Sequence, residues 1–204
     1  MLTDNYFLNC SEMSTTTKYW SPILESYFAG GDTSSINCKI LNLNYKLDLY
    51  MVAGTERGPV EAAIGDFASD KATKRKLYHD KLKSVLASKC HLNALIEKLN
   101  FLSAAEYDIS ILQVMEQNIS LYILFSIDKQ VYAVQNEIDA EYPRNIRKVR
   151  DGSIAKILNL FGHVANYSRD TSNKMKAITG ESQSRKFKAE EWTSEMKWEP
   201  CFVE

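Results

Sequence analysis

The alternation over residues 41–51 constrains the fold more than any other feature of this 204-residue chain. Leu41, Leu43, Tyr45, Leu47, Leu49 and Met51 alternate with Asn42, Asn44, Lys46, Asp48 and Tyr50. A strand sends successive side chains to opposite faces, so this stretch predicts one apolar and one largely wet face. That pattern favours an antiparallel sheet over a parallel one buried on both sides. Ile36, Cys38 and Ile40 alternate in the opposite phase, which predicts a bulge or tight turn near Ile40 and Leu41. Three further runs rich in branched and aromatic residues, at 109–115, 119–127 and 131–138, are separated by short polar links. Such spacing predicts an antiparallel meander. The expected fold is α+β: an antiparallel sheet of four to five strands (36–51 and a 109–138 meander) with helices packed on one face.

Helical signals lie between and after these strands. Ser21-Pro22 suits a helix start and Gly30-Gly31 its end. After Gly58-Pro59 the sequence reads as a first helical piece to about residue 67, leading into a long pattern over 71–101. There Tyr78, Leu82, Val85, Lys89, Leu92, Ile96 and Leu99 recur at spacings of four and three. Lys89 breaks that stripe, which predicts one kinked helix or two helices meeting near 88–91. A last clear helix starts at Ser153, with Ile154, Ile157, Leu158, Phe161 and Ala165 on one face, and the chain turns polar and patchy after Tyr167. One α+β domain over 1–204 is expected, with 1–20 and 168–204 as less regular flanking segments.

Composition excludes some classes. With 45% hydrophobic and 25% charged residues the chain is globular in character. Its apolar runs fall far short of the roughly 20 residues that span a bilayer, and the N-terminus lacks a basic start and a continuous apolar stretch. The expected location is therefore the cytoplasm, of its own or of a host cell, with no membrane contact. Cys10, Cys38, Cys90 and Cys201 are widely spread with no paired spacing, which favours free thiols and gives no metal site. Neighbours on a helix point about 100° apart, so Cys90 and His91 cannot form a dyad with each other. His163 would have to reach Cys90 through the fold. Glu137, Asp139 and Glu141 would share one face if the third meander strand continues, as in the acidic lining of metal-dependent nucleases, but no lysine accompanies them.

The net charge of −1 hides alternating blocks: residues 1–70 sum to −5, 71–100 to +6, 101–142 to −6 and 143–175 to +5. The first basic block places Lys74, Arg75, Lys76, Lys81 and Lys83 on a helix, where i and i+7 share a face. With Arg144 from the second block these residues could follow a nucleic-acid backbone. The pI of about 6.3 weighs against a dedicated nucleic-acid binder. Lysine stems more often cover apolar surface.

The second block runs into Gly152-Ser153, where a helix N-terminus offers unpaired N–H groups to an anion. Arg147, Lys148, Arg150, Gly152 and Ser153 are the candidate phosphate contacts. Their place after the third strand of a meander, and the order strand, two helices, three antiparallel strands, helix, resemble acyltransferases of the Gcn5-related type. The resemblance implies acetyl-CoA as cofactor, its pyrophosphate on the Gly152–Ser153 turn, and a strand pair that opens beside Ser153. That family's loop reads Arg/Gln-x-x-Gly-x-Gly/Ala; here the run from Val149 to Ile154 brings the arginine one position closer and puts isoleucine at the small position.

The C-terminal segment carries Trp192, Met196, Trp198 and Phe202, which either dock on the core or anchor a partner. Taken together, these features lead to the expectation of a non-enzymatic regulatory or accessory protein without cofactor. It would act through a protein partner or self-association first and nucleic acid second. The alternative is an acyl-CoA-dependent N-acyltransferase.

Overall fold

The computed structural model describes residues 20–28, 33–35, 49–55, 58–68, 73–98, 107–115, 117–128 and 130–177. In chain order they form α1 (Ser21–Phe28), β1 (Thr33–Ser35), β2 (Leu49–Thr55), β3 (Gly58–Ala68), α2 (Lys74–Lys98), β4 (Asp108–Met115), β5 (Asn118–Asp128), β6 (Val131–Glu141), α3 (Ile146–Arg150) and α4 (Ser153–Ala177). The expected α+β class holds. The sheet is mixed, however, and not antiparallel throughout: β3 and β4 run parallel with α2 as their crossover, and every other neighbouring pair is antiparallel. The four strands β3 to β6 are extended by β2 and the three-residue β1 into six strands in sequence order.

The meander is present as β4, β5 and β6. Most of the alternating stretch at 41–51, and the phase switch near Ile40, lie outside the described residues. The irregularity observed nearby falls between Met51 and Val52. The piece expected as helix after Pro59 is instead strand β3, whose residues 63–68 are all buried. Burial on both sides removes the alternation that marks a half-wet strand.

Both faces of the sheet are covered, which corrects the expectation of helices on one face. On one side Leu24 and Phe28 of α1 and Ile157, Leu160, Phe161 and Val164 of α4 pack over Ala63, Leu112, Val114, Ile119 and Leu121. On the other side Leu92, Leu95 and Ile96 of α2 pack over Ile109, Ile111 and Leu124. Each such aliphatic side chain contributes about 1.5–3 kcal/mol on burial, so the parity of β4 and β5 locks two cores at once. α2 is one unbroken helix through Lys89, whose Nζ lies 5.0 Å from the Tyr132 ring centroid. The lysine therefore continues the apolar stripe with its stem and covers an aromatic face with its charge. α4 runs on to Ala177, past the expected change of character at Tyr167.

Beneath α2, Asp66 of β3 is 3% exposed and accepts hydrogen bonds from Lys83 Nζ at 2.6 Å and Ser84 Oγ at 2.7 Å. β6 forms the outer edge among the described residues. A register shift between Leu121 and Tyr122 leaves Glu137 without a partner on β5, so Glu137 is a bulge, and Asp139 and Glu141 follow it. A bulge and charges discourage further edge pairing.

Candidate functional site

Local sequence builds a compact turn after β6. The Asn145 side chain accepts from Lys148 N at 3.0 Å and caps α3. The helix is closed when Asp151 N donates to Arg147 O at 2.8 Å and Gly152 N to Val149 O at 3.1 Å. Gly152 takes φ +86°, the left-handed conformation that lets the chain leave α3 and enter α4 at once. Glu141 ties this turn to the end of β6, with Lys148 Nζ at 3.0 Å and Arg144 Nε at 3.5 Å.

The turn leaves two apolar pairs facing outward on adjoining helices. Ile146 is 61% and Val149 40% exposed on α3, at i and i+3; Ile154 is 37% and Leu158 44% exposed on α4, at i and i+4. Residues at those spacings share one side of a helix. Interleaved with them are the exposed cations Arg147, Arg150 and Lys156, which have no carboxylate partner among the described residues. Scattered single apolar side chains need no explanation, but aliphatic pairs on adjoining helices bordered by unpaired charge have the character of an interaction surface.

Of the residues expected to hold a phosphate or coenzyme A, Lys148 and Ser153 line a cleft of about 410 Å³ between the β5–β6 end and the start of α4. Asp139, Glu141 and Asp151 line it too, against Lys148 and Lys156. Three carboxylates facing two ammonium groups oppose the charge of a pyrophosphate. Lys148 is already engaged by Glu141. β6 stays paired with β5 from Val131 to Glu141. No strand pair opens beside Ser153 among the described residues.

The expected nucleic-acid row is divided. Lys74, Arg75 and Lys76 are exposed in the first turn of α2, which Thr73 caps by accepting from Lys76 N at 3.2 Å. One and two turns further on, Lys81 places its Nζ 3.9 Å from the Tyr122 ring centroid and Lys83 bonds Asp66. Trp192, Met196, Trp198 and Phe202, together with Cys10, Cys38 and Cys201, lie outside the described residues.

The acids of β6 do not converge. Glu137 approaches His163 Nδ1 at 4.0 Å, Asp139 accepts from Asn136, and Glu141 holds Lys148 and Arg144. Among the described residues no cluster of His, Cys, Asp or Glu could hold a metal ion. Cys90 on α2 and His163 on α4 sit on helices covering opposite faces. Burial pushes the Cys90 thiol up, although Lys89 opposes this, so it is a poor thiolate nucleophile.

Towards the C-terminal half of α4, burial raises the Asp108 carboxyl above its ordinary value. Asp170 adds to the shift and Lys174 opposes it. Burial and the nearby Glu137, Asp108 and Asp170 raise the Tyr167 phenol. A carboxyl raised in the folded state contributes stability below its unfolded pKa, about 3.9 for aspartate, and loses it as pH rises through the folded value. Asp108→Asn is therefore expected to raise the melting temperature at pH 7, and the gain over wild type is expected to vanish at about pH 3.5. Thermal unfolding followed by circular dichroism at the two pH values checks this.

The sequence pattern hides the exposed α3–α4 surface, because Ile154 and Leu158 fall on the same apolar stripe as Ile157 and Phe161. The signal that separates them is angular: Ile157, Leu160, Phe161 and Val164 form a complete buried face without them. No helix among the described residues is long and apolar enough to cross a membrane. Comparisons with protein-family models, with curated proteins and with solved structures return no match, so the functional reading rests on this geometry.

Proposed function

We propose that this chain is a non-enzymatic interaction module that docks a protein partner on its α3–α4 surface. The observation that carries the reading is the exposure of Ile146, Val149, Ile154 and Leu158 on two adjoining short-linked helices, held in place by the Asn145 cap and the Gly152 turn. Adjoining exposed aliphatic pairs have the character of an interaction patch, and the arginines beside them are of a type enriched at interface cores, where a few buried side chains supply most of the affinity. They favour protein over nucleic acid, because unpaired bases stack on aromatic faces and these four side chains offer none.

Leu158→Asp tests the reading at an exposed position, where a charge spares the core. Immobilised wild-type chain is expected to retain a defined partner from lysate, and Leu158→Asp to retain roughly tenfold less of it or lower still. An exposed change on the far half of α4, Arg169→Glu, is expected to leave capture unaltered. Equal capture by wild type and Leu158→Asp, measured by quantitative mass spectrometry, contradicts the proposal.

A further inference from the structure

β6 ends the six-stranded order and has no strand on its outer side among the described residues. Alternate residues of such a strand aim both N–H and C=O away from the sheet, to be satisfied by water or by another strand. The two edges are not guarded alike. β1 is only three residues long, which offers little to pair with. β6 runs for 11 residues, and its guards sit in its second half: the bulge at Glu137, then Asp139 and Glu141. α3 and α4 are tied to that same half, Lys148 to Glu141 and His163 to Glu137. Residues 131–136, VYAVQN, carry no charge, no proline and no bulged residue of their own. Val131 is 47% and Val134 36% exposed, and Gln135 and Asn136 are exposed beside them.

We infer that a second copy of this chain pairs antiparallel with residues 131–136, about a two-fold axis at Val134, so that one sheet runs through both copies. This edge is separate from the α3–α4 surface, and either can fail without the other. Self-pairing consumes the open edge of both copies at once and closes the assembly, whereas a foreign strand added here would itself become the new edge. Antiparallel order sets the acidic end of each β6 (Glu137, Asp139, Glu141) beside the β5–β6 link of the other, where Asp128 and Lys129 cancel in charge. The two acidic ends are thereby held apart. Directly opposite residues share a face of a sheet, so the axis passes through a residue and not between two. Of the central pair, Ala133 is half-buried and Val134 exposed. Val134 stands opposite Leu124 of β5, on the α2 side of the sheet. Its two copies would meet across the axis, with Tyr132 of each copy facing Asn136 of the other. Such a pairing is smaller than a standard interface of about 1,600 Å², so its dissociation constant is expected on the order of 10 μM.

Sedimentation velocity of the full chain over about 1–100 μM tests the pairing. Wild type is expected to pass from monomer to dimer across that range. Val134→Lys and Val134→Glu, each alone, are expected to weaken the dimer about tenfold or more, because like charges then face each other at the axis. An equimolar mixture of the two is expected to recover the dimer, because opposite charges then meet there. Leu158→Asp is expected to leave the dimer unchanged, which separates this edge from the α3–α4 surface. Wild type that stays monomeric at about 100 μM overturns the inference and leaves the edge to a strand of another protein. So does a dimer that tolerates both Val134 changes, one that the mixture fails to recover, or one that Leu158→Asp abolishes. Assembly beyond the dimer overturns it too, since a two-fold pair has no open β6 edge left. Circular dichroism confirms that Val134→Lys and Val134→Glu are folded, and recovery in the mixture shows it independently.

Discussion

Asp66→Ala is expected to lower the unfolding free energy by about 3–5 kcal/mol, since removing one member of a buried ion pair strands the other. The Asp66 carboxylate is the acceptor for both Lys83 Nζ and Ser84 Oγ, and it joins α2 to the central strand β3. Ser84 is 2% exposed and has no solvent to turn to; the Lys83 side chain, at 16%, can recover part of its hydration by swinging outward. That escape puts the expected loss nearer the lower figure. Asp66→Asn, which keeps an acceptor and loses the charge, is expected to cost less than the alanine change. Replacing both partners with apolar residues, Asp66→Leu with Lys83→Met, is expected to recover much of the loss, because a buried pair is seldom better than packing of the same volume. Urea unfolding of the three variants beside wild type checks the series. A loss under about 1 kcal/mol for Asp66→Ala, the range of a surface pair, would show that the pair is exposed in solution.

Gly65→Ala is the second large effect expected, a loss of about 3 kcal/mol from overpacking against backbone. A Cβ at Gly65 would lie 2.6 Å from Leu112 O and 3.2 Å from both Leu112 Cβ and Leu49 Cδ2. The nearest atom is a carbonyl of the parallel partner strand, so relief requires β3 and β4 to separate. Gly162→Ala is the matched control. Its Cβ would meet only the Tyr27 hydroxyl at 3.6 Å, an ordinary contact, and alanine is the better helix former by about 1 kcal/mol. Unfolding midpoints should therefore move in opposite directions for the two substitutions.

These two neighbours on β3 also explain what the sequence concealed. β4, β5 and β6 were legible because their inward residues are branched and their links are short. α2 was legible because its apolar spacing survives Lys89. β3 was not, because Ala63, Gly65 and Ala68 are small, Asp66 is polar, and residues 63–68 are buried on both faces. Glu61, Ala62 and Ala63 are good helix formers, and the pairing of β3 with β2 and β4 overrides that local preference. Missing β3 also hid the parallel pair, and with it the crossover that carries α2 to the far side of the sheet.

The candidate surface was half legible. Both basic blocks and the Gly152 turn stand out in sequence, but which of their side chains face outward depends on tertiary packing, which no local pattern encodes. Individual lysines were likewise indistinguishable in sequence. Lys81 and Lys83 belong to the fold, on Tyr122 and Asp66, whereas Lys74 and Arg75 face outward.

Hydrogen exchange on the captured complex tests the docking surface most directly. With partner bound, amides of α3 and the first turn of α4, residues 146–156, are predicted to exchange more slowly than in the free chain, with β5 and the far half of α4 unchanged. Unaltered exchange over 146–156, with protection appearing elsewhere, would contradict the account.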